Sequence, residues 1–546
     1  MSYVITSGCC SDAACVEVCP VDCIRPRPED PAFRNADQLY IDPYTCIGCS
    51  ACMFACPVSV IHDSFDIPAE LSEYIDINAE YFENKPLSAR FVNFKPARTP
   101  PPVTARIAVV GAGPAACYAI AELCKIAGIQ ITVFDRLPTP FGLVRSGVAP
   151  DHPSTKQVSD LFQSTLEHPN VTCYFNVEVG KDVSLDDLRQ SHHAVIYAGG
   201  AAGDRAIGVE GEELPGSASA REFVSWYNGH PDFTHHHYNL THSTAVIIGN
   251  GNVALDVARS LVTPVTALEA TDMADHAIKA LRGSAVDTVV IAARRTPHEA
   301  ACTAPELSEL CRVPGVEVCA IPSEVSESAT AQQIDSGQKR KLDVFARMPD
   351  ARQPPREGIK RIVFRFGAMP IEYSGTGGVA SVTFRRSGDT QSILETIECG
   401  LVIRAVGYRV STIAGIPFDT STGTISHRNG RVVDAKTRGT LPGLFCVGWA
   451  KRGASGVIGT NKVCSRETVA ALLDDLTSGH LPEPKIDSYD LARLIRARQP
   501  NTIELEDWNR IDAEERRRGN SSRPRKVRRK IVSVEEMLHL ISRPSH

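Results

Sequence analysis

The chain lacks the features that would place it in a membrane, in a secretory pathway or on nucleic acid. No apolar run in its 546 residues is long enough to span a bilayer as a helix. The first residues, MSYVITSGCC, do not form a signal-peptide pattern. Basic residues (58) do not exceed acidic ones (64), and the net charge of −6 indicates no nucleic-acid partner. These absences predict a cytoplasmic protein without a membrane span.

Cysteine, by contrast, is abundant and unevenly placed. Nine of the 18 cysteines fall between Cys9 and Cys56. Disulfide frameworks are typical of small secreted domains, whereas clustered cysteines in a chain without a secretory signal favour metal binding. With 43% hydrophobic and 22% charged residues, the composition is otherwise that of a globular protein. The length predicts more than one domain.

The N-terminal cysteines form two runs. Residues 46–57 read C-x2-C-x2-C-x3-C-P, which is the bacterial iron–sulfur spacing in which the fourth cysteine binds the other cluster. Residues 15–20 read C-x3-C-P, and Cys9 and Cys10 precede them. A structural zinc site needs four ligands in two pairs, a pattern that residues 46–57 do not fit. The spacing therefore predicts iron–sulfur clusters.

Residues 1–64 resemble a bacterial two-cluster ferredoxin of the seven-iron type, on the segments 16–23 (VEVCPVDC) and 39–57. The resemblance implies that one [4Fe–4S] cluster is bound by Cys19, Cys46, Cys49 and Cys52. It implies that the second cluster is bound by Cys9, Cys15 and Cys56. Because the first run lacks C-x2-C-x2-C, a [3Fe–4S] cluster is favoured over a second [4Fe–4S] cluster. The short spacing to Cys15 leaves Cys10 open as an alternative to Cys9, and Cys23 is interpreted as a packed thiol.

The ferredoxin-like segment is acidic, with eight carboxylates and three arginines in residues 1–64. This surface is either an ordinary solvated face or a face that docks on a basic reductase. Residues 65–104 are predicted to be a linker. Its acidic first part could wrap around the ferredoxin-like segment, and the proline-rich KPARTPPPV (95–103) is predicted to be a stiff spacer.

Residues 106–145 carry a strand–helix–strand pattern with a dinucleotide fingerprint. The GxGxxA motif begins at Gly111 and lies between an apolar strand and a helical pattern. Gly111 permits a tight turn, and Gly113 permits the close approach of a pyrophosphate, which the N-terminus of the helix attracts. The strand predicted over 129–134 ends at Asp135, where an acid can accept from a ribose hydroxyl. The pattern predicts a dinucleotide site.

The block that follows, LPTPFGLVRSGVAPDHPSTK (137–156), resembles the adrenodoxin reductase-like family of ferredoxin–NADP reductases, as does GLFCVGWAKRGASGVIGTNKVC (443–464). This resemblance implies contacts with FAD from Gly111, Gly113, Ala115, Asp135, Leu143, Arg145, Val179, Trp449, Gly456, Val457 and Ile458. Arg145 is suited to a phosphate or a flavin carbonyl. No catalytic residue is assigned, because hydride transfer to flavin needs no general base. His152 is assigned a redox-tuning role at most.

A second GxGxxA motif begins at Gly249, between strands predicted over 244–248 and 288–292. An NAD-binding protein has an acid after the second of these strands, but Arg294 and Arg295 stand there. Two guanidinium groups suit the 2′-phosphate of NADP. The family resemblance implies contacts with NADP from Asn250, Gly251, Asn252, Val253, Arg294, Arg295, Glu306 and Gly456.

The predicted fold is multidomain. An α+β two-cluster ferredoxin domain is followed by an α/β reductase with two Rossmann-like domains of the glutathione reductase type. The NADP-binding domain, 203–400, is inserted between FAD-binding segments 105–202 and 401–546, and the strand that begins at Leu401 leads back to the flavin domain. The whole chain resembles actinobacterial ferredoxin/ferredoxin–NADP reductases. The resemblance implies that NADPH reduces FAD and that electrons pass to iron–sulfur clusters, and onward to ferredoxin or cytochrome P450 systems.

Two other functions stay open. A separate ferredoxin could be the acceptor, with the fused segment serving for docking or sensing. The chain could instead be an electron-transfer subunit like the small subunit of glutamate synthase. The C-terminal tail has nine basic residues between Arg516 and Lys530, which form either a charged surface or a site that docks an acidic ferredoxin.

Overall fold

The computed structural model describes residues 2–83, 85–87, 103–326, 336–386, 393–410 and 413–542. Most of the proline-rich part of the predicted linker, 95–102, lies outside the described residues. Within the described ranges, the helices are too short or too polar for any of them to cross a membrane. The described elements form an N-terminal module and two sheets that consist mainly of parallel strands.

The N-terminal module is a small α+β unit of short elements. In chain order these are Tyr3–Ile5 (strand), Ala14–Val18 (helix), Ile24–Arg25 (strand), Pro31–Asn35 (3-10 helix), Tyr40–Ile41 (strand), Ala51–Ala55 (helix), Ile61–Asp63 (strand), Ala69–Leu71 (3-10 helix) and Glu73–Glu83 (helix). The first and last strands pair antiparallel, and so do the two middle ones. Each cysteine-rich helix has one turn or little more, and Cys15 and Cys52 lie within these two helices.

The helix Glu73–Glu83 belongs to this module, although its residues were predicted to be linker. Asn78 is buried and its Nδ2 donates to the carbonyl of Ile5 at 2.9 Å. Its Oδ1 accepts from the backbone N–H groups of Ile5 at 3.2 Å and Ile41 at 2.9 Å. One amide thus joins two strands to the helix. The acidic segment therefore packs against the module through this helix. The domain boundary at residue 64 stays a prediction.

The first sheet has seven strands. Their spatial order is His427–Arg428, Arg431–Val433, Thr440–Cys446, Ala194–Tyr197, Ala105–Val110, Ile129–Asp135 and Val171–Phe175. The last five are parallel, with Ala105–Val110 at their centre. Their runs of branched apolar residues are buried on both faces, as covered parallel sheets require. The associated helices are Pro114–Cys124, Leu143–Ser146, Pro153–Lys156, Val158–Leu166, Leu185–Ser191, Trp449–Arg452, Thr460–Thr477, Ser488–Arg498, Leu505–Ser521 and Val534–Ser542.

The second sheet has six parallel strands. Their order is Ser217–Ser219, Leu401–Arg404, Thr244–Ile248, Thr288–Ala292, Lys360–Arg365 and Val316–Ala320. Its helices are Ala220–Tyr227, Asn252–Val262, Val265–Leu268, Asp275–Arg282, Ala304–Leu310, Pro322–Ser326 and Ser336–Ala346. A three-stranded antiparallel sheet, which the sequence did not predict, consists of Ala368–Ser374, Ser381–Arg386 and Leu394–Glu398. Its buried side chains pack on one face of the second sheet.

The return to the first sheet comes later than predicted. Leu401–Arg404 pairs with Thr244–Ile248 and Ser217–Ser219, so it is a strand of the second sheet. Tyr408–Arg409 then pairs antiparallel with Gly203–Asp204, which brings the two connections between the sheets side by side. The placement of 401 at the start of a flavin segment was therefore wrong, because a short apolar run does not by itself identify its sheet.

Candidate functional site

The two fingerprint glycines adopt the same strained turn. Gly111 has a φ of +107° and Gly249 a φ of +114°, values that L-residues with a side chain rarely adopt. A Cβ atom on Gly111 would collide with the carbonyl of Ala198, and one on Gly249 with the carbonyl of Ala405. Each glycine thus lets a turn pass close to the neighbouring strand. The geometry that both motifs predict is present.

Each turn leads into the exposed start of a helix. The helices Pro114–Cys124 and Asn252–Val262 follow Gly113 and Gly251, and no side chain among the described residues caps either of them. Their first backbone N–H groups, together with the positive end of the helix dipole, suit a phosphate group. Both turns therefore fit a dinucleotide pyrophosphate.

Asp135 holds the first fingerprint in place. Its Oδ2 accepts from the backbone N–H of Ala112 at 2.7 Å, and its Oδ1 accepts from Leu137 at 2.9 Å. Burial raises the pKa of Asp135, and the two backbone hydrogen bonds oppose that rise. Each carboxylate oxygen accepts more than one hydrogen bond, so a ribose hydroxyl can be added without breaking these bonds.

The block after Asp135 folds over the fingerprint. The backbone N–H of Phe141 donates to the carbonyl of Ala112 at 2.9 Å, and Gly142 has a φ of +47°. A Cβ on Gly142 would lie 3.1 Å from the Cα of Gly113. Leu143 begins the short helix that follows. The fingerprint and the block thus form one continuous surface.

The Arg145 side chain is held by the C-terminal tail. Its two terminal nitrogens bond both carboxylate oxygens of Glu515, at 2.9 and 2.5 Å. Glu515 is fully buried, which alone would raise its pKa, but the charges of Arg145 and Arg528 and the hydrogen bonds from Arg145 and Ile531 together lower it. The guanidinium also lies over the ring of Trp508, 5.4 Å from its centroid. The sequence did not identify this partner 370 residues away.

Residues 443–464, which we call the returning segment, contact the first fingerprint. Gly448 has a φ of +68°, and a Cβ there would lie 2.5 Å from the Cβ of Ala115. The next residue, Trp449, stacks near Tyr408 with ring centroids 5.3 Å apart. Gly456 also has a positive φ, +79°, and opens the loop that contains the predicted contacts Val457 and Ile458. The structure therefore brings Ala115 and the predicted returning contacts to one region.

Val179 lies elsewhere in the same half. It is 6% exposed and packs in a core cluster with Val110 and Phe134, near the carboxyl ends of their strands. Among the described residues, this core packing does not join the Val179 side chain to the other predicted FAD contacts.

Two asparagines join the second fingerprint to the loop before Glu306. Asn250 accepts from the backbone N–H of Ala301 at 3.3 Å, and Asn252 accepts from Thr303 at 2.9 Å. The Nδ2 of Asn250 and the Oε2 of Glu306 are buried without a hydrogen-bond partner among the described residues. Buried groups of this kind usually have a partner, so both fit contact with a polar ligand.

The other predicted NADP contacts flank the same turn. Arg294 and Arg295 are exposed directly after the strand Thr288–Ala292. Gly251 precedes the helix, and Val253 lies in its first turn. Two exposed guanidinium groups beside a phosphate-binding turn fit a second phosphate.

An ionic network links the two halves at His152. Its Nε2 lies 3.3 Å from Asp256 and 3.7 Å from Glu306. Arg259 bonds Asp151 at 2.5 Å and Asp256 at 2.6 Å, and it also contacts the His152 ring. Burial alone would lower the pKa of His152, but the hydrogen bond to Asp256 together with the charges of Asp256 and Glu306 raises the pKa to about 9. Burial raises the pKa of Glu306 to about 7.

The sequence did not identify Asp256 or Arg259 as members of this network. Their i,i+3 spacing on a helix is common on solvated surfaces. His152, Glu306 and Glu309 bring metal-ligating atoms within 4.8 Å of one another. Because Arg259 already supplies positive charge beside His152 and Glu306, this group does not fit a cation.

Four cysteines line one cavity of the N-terminal module, together with Asp12 and Leu39. They are Cys9, Cys10, Cys15 and Cys56, and we call this cavity the inner pocket. Burial, followed by the nearby charges of Cys9 and Cys56, raises the pKa of the Cys15 thiol. The three predicted ligands are thus brought together. Because Cys10 lines the same cavity, the choice between Cys9 and Cys10 stays open.

The remaining cysteines of the module form a second cluster, which we call the outer group: Cys19, Cys23, Cys46, Cys49 and Cys52. Hydrogen bonds from Cys23 lower the pKa values of Cys19 and Cys46 to about 6. Burial, with the charges of Cys46, Cys19 and Cys49, raises the pKa of Cys52 to about 12. All four predicted ligands of the [4Fe–4S] cluster are present, and Cys49 is exposed.

The inner pocket lies against the returning segment of the reductase. The backbone N–H of Gly459 donates to the carbonyl of Cys10 at 2.7 Å. A Cβ on Gly459 would collide with the carbonyl of Ser11, so glycine permits this close approach. Ile458 packs against the core that contains the inner-pocket cysteines. The loop with the predicted flavin contacts is therefore continuous with the inner pocket.

Ion pairs hold the same interface. Lys462 bonds Asp12, which is 4% exposed, at 3.2 Å, and Arg466 bonds Glu17 at 2.9 Å. Opposite charges thus pair across the interface between the acidic module and a basic helix start, which supports the docking interpretation. The basic tail behaves differently, since Lys526 and Arg529 bond Asp275 inside the reductase. The docking role considered for the tail stays a prediction.

Comparisons with known proteins agree with this division. Residues 7–60 match the family described as 4Fe-4S dicluster domain, and residues 105–294 match Pyridine nucleotide-disulphide oxidoreductase. A Mycobacterium tuberculosis protein named "Probable ferredoxin/ferredoxin--NADP reductase" is 43% identical over 549 residues, which cover 98% of this chain and 94% of that protein. The Arabidopsis thaliana "NADPH:adrenodoxin oxidoreductase, mitochondrial" is 38% identical over 79% of this chain and 94% of that protein.

A solved structure covers the reductase part. "Mycobacterium tuberculosis FprA in complex with NADPH" is 38% identical and superposes with a TM-score of 0.74, over 81% of this chain and all of that one. The predicted fold, a ferredoxin domain followed by a dinucleotide-binding reductase, is confirmed, and so is the predicted class of oxidoreductase. The chain belongs to the ferredoxin/ferredoxin–NADP reductases, flavoprotein oxidoreductases that join a ferredoxin-type iron–sulfur domain to an FAD- and NADP-dependent reductase.

Proposed function

We propose that this reductase delivers the electrons of NADPH to its own N-terminal module, one at a time. When bound, NADPH and FAD supply hydride transfer and the clusters supply single-electron transfer. The observation that carries the proposal is the bond from Gly459 to Cys10, which joins the loop of predicted flavin contacts to the inner pocket. Because the module is already docked, no diffusional encounter is needed for this step.

The proposed FAD site uses the first fingerprint, the folded block and the returning segment. Close contact of Ala115 with Gly448 and of Gly113 with Gly142 supports a common binding surface. We assign it the residues Gly111, Gly113, Ala115, Asp135, Leu143, Val179, Trp449, Gly456, Val457 and Ile458. For Arg145 we propose a positioning role as well, since its bond to Glu515 holds the block against the tail.

The proposed NADPH site uses the second fingerprint. The exposed Arg294 and Arg295 are suited to the 2′-phosphate, and the buried orphan atoms of Asn250 and Glu306 are suited to polar groups of the same ligand. Its further members are Gly251, Asn252, Val253 and, from the returning segment, Gly456. His152, from the flavin half, and Arg259, from the helix of the second fingerprint, both lie beside Glu306.

The proposed clusters follow the two groups of cysteines. In the inner pocket we assign Cys15, Cys56 and one of Cys9 or Cys10 to a [3Fe–4S] cluster. In the outer group we assign Cys19, Cys46, Cys49 and Cys52 to a [4Fe–4S] cluster, and Cys23 remains a hydrogen-bonding thiol. A cytoplasmic location, and ferredoxins or cytochrome P450 systems as final acceptors, remain predictions.

Iron and acid-labile sulfide analysis with EPR tests the cluster assignment. We expect about seven irons per FAD and a [3Fe–4S] signal in the protein as isolated. Eight irons per FAD would contradict a three-ligand inner pocket. Replacing Cys9 or Cys10 by serine, one at a time, should remove that signal in only one of the two variants.

Removal of the module tests the internal delivery of electrons. The solved FprA chain matches the reductase part alone, so a chain that begins at residue 103 is a reasonable variant. Such a chain should reduce ferricyanide with NADPH as the whole chain does, but it should lose most of its cytochrome c reduction. Unchanged cytochrome c reduction would favour a separate ferredoxin as the acceptor.

A further inference from the structure

The N-terminal module exposes large apolar side chains at an unusual density. Eleven such residues are exposed in the described part of the chain, and five of them lie in this module. They are Val18, Tyr44, Ile47, Phe54 and Phe65, and we call them the outer patch. Tyr44 (90%), Phe54 (80%) and Phe65 (79%) are more exposed than the other six residues, all of which lie in the reductase. Exposed apolar clusters usually mark a binding surface.

The residues of the outer patch lie close in sequence to the outer group of cysteines. Val18, Tyr44, Ile47 and Phe54 each lie within two residues of a proposed ligand of the [4Fe–4S] cluster. Because Cys49 is exposed among them, this side of the group opens to solvent. The inner pocket, by contrast, faces the reductase.

Phe65 reaches the same region through the small sheet. The strand Ile61–Asp63 pairs with Tyr3–Ile5, and the N–H of Ser64 donates to Ser2 at 3.0 Å. The Tyr3 backbone hydrogen-bonds the Cys46 sulfur. The start of the chain therefore connects Phe65 to the outer group.

Charge does not contribute to the part of this surface that carries Tyr44, Ile47 and Phe54. Residues 43–61 contain no acidic residue, no basic residue and no histidine. The neighbouring Asp42 is buried and accepts from Tyr44 and Thr45, whereas Asp63 and the exposed Asp66 lie beside Phe65 at the edge of the patch. A partner that docks through complementary charge would find none around Tyr44 and Phe54, whereas a partner with an uncharged apolar face would bury these aromatic rings.

We propose that the outer patch is the docking surface for a one-electron acceptor protein that binds through an apolar face. This inference rests on the proposed function, since it takes the outer group as the exit for electrons. Each NADPH that is oxidised to NADP+ and a proton supplies two electrons. Two acceptor molecules are therefore each reduced once per NADPH.

A double substitution, Tyr44→Ser with Phe54→Ser, tests the surface, with cytochrome c as the probe acceptor. We expect about a tenfold fall in kcat/KM for cytochrome c and loss of its chemical cross-links to the module. Ferricyanide reduction and the EPR spectra of both clusters should not change. The control is Tyr489→Ser, which removes an aromatic side chain that is 76% exposed on the reductase helix Ser488–Arg498. The control should leave every measurement unchanged.

Two results would overturn the inference. Unchanged cytochrome c reduction and cross-linking in the double variant would show that docking occurs elsewhere. A dimer in light scattering that dissociates in the double variant would show that the patch binds a second copy of the chain. A wild-type protein whose clusters NADPH does not reduce would instead contradict the proposed function, so the two failures are distinguishable.

Discussion

The two dinucleotide fingerprints have the same glycine turn but differ in the residues at the end of the following strand. Gly111 and Gly249 make nearly identical turns into helices of the same length. At the end of the next strand, Asp135 binds back to the first turn, whereas Arg294 and Arg295 are exposed beside the second. We therefore expect the glycines to create a pyrophosphate site in both units and the strand ends to select the ligand.

The surroundings of the two fingerprints differ as well. The block 137–156, the returning segment and the tail cover the first one, and Glu515 fixes that cover through Arg145. The second fingerprint has exposed arginines beside it, and it has buried polar atoms without a hydrogen-bond partner among the described residues. A covered site suits a resident group and an open site suits one that exchanges. We therefore expect substitutions at the two fingerprints to have different effects.

The largest effect is expected from Gly111→Ala. The new Cβ would lie 2.6 Å from the Ala198 oxygen and would need a positive φ, so the turn must move. We expect the purified variant to contain little FAD, measured as the ratio of flavin to protein absorbance. Gly249→Ala should instead keep its FAD and raise the KM for NADPH. Equal loss of flavin in both variants would contradict the division of roles.

The next effect is expected at the arginine pair. Replacing Arg294 and Arg295 by alanine removes two solvent-exposed charge-assisted contacts, which we expect to stabilise the complex by about 0.7–1.4 kcal/mol each. The KM for NADPH should rise about 10- to 100-fold, with flavin content unchanged and little change for NADH. Arg347→Ala, at an exposed arginine of the same half, is the control. Parallel changes for NADPH and NADH would contradict a 2′-phosphate contact.

A smaller effect is expected at His152, which links the two halves of the reductase. The pKa of His152 is raised to about 9, so its bond to Asp256 stabilises the fold fully below about pH 6.5. That contribution is lost as the pH rises through about 9. His152→Gln should lower stability by about 1–2 kcal/mol at pH 6, because Arg259 opposes the histidine charge. Thermal unfolding at pH 6, 8 and 10 should show the difference shrinking.

The exposed His480 provides a matched control for that experiment, since His480→Gln should change the unfolding temperature equally little at each pH. A difference between wild type and His152→Gln that stays constant with pH would mean that the imidazole acts by packing and not by charge.

The smallest effect is expected on the outer face of the tail. Arg517 is 67% exposed and pairs with Glu514 on its own helix. Exposed pairs of this kind contribute little to stability, because water screens both charges. Arg517→Gln should change neither flavin content nor the KM for NADPH. A clear rise in that KM would mean that the tail contributes to the second site.

Motifs with a fixed local spacing were predicted correctly from the sequence. The strands Thr244–Ile248 and Thr288–Ala292 and the helix Pro114–Cys124 match their predicted positions, because period and turn residues define them locally. The sheet of Leu401–Arg404, the salt bridge from Arg145 to Glu515 and the helix Glu73–Glu83 were not predicted. Each depends on a partner far along the chain, which no local pattern encodes.

The sequence by itself determined the chemistry: the cysteine spacings, the two glycine turns and the arginine pair are short motifs whose side chains and backbone set their ligands. Only the tertiary structure decided how these parts face one another. Gly459 lies on Cys10, and Lys462 lies on Asp12, across more than 440 residues. Packing of distant elements places the inner pocket against the reductase and the outer group toward solvent.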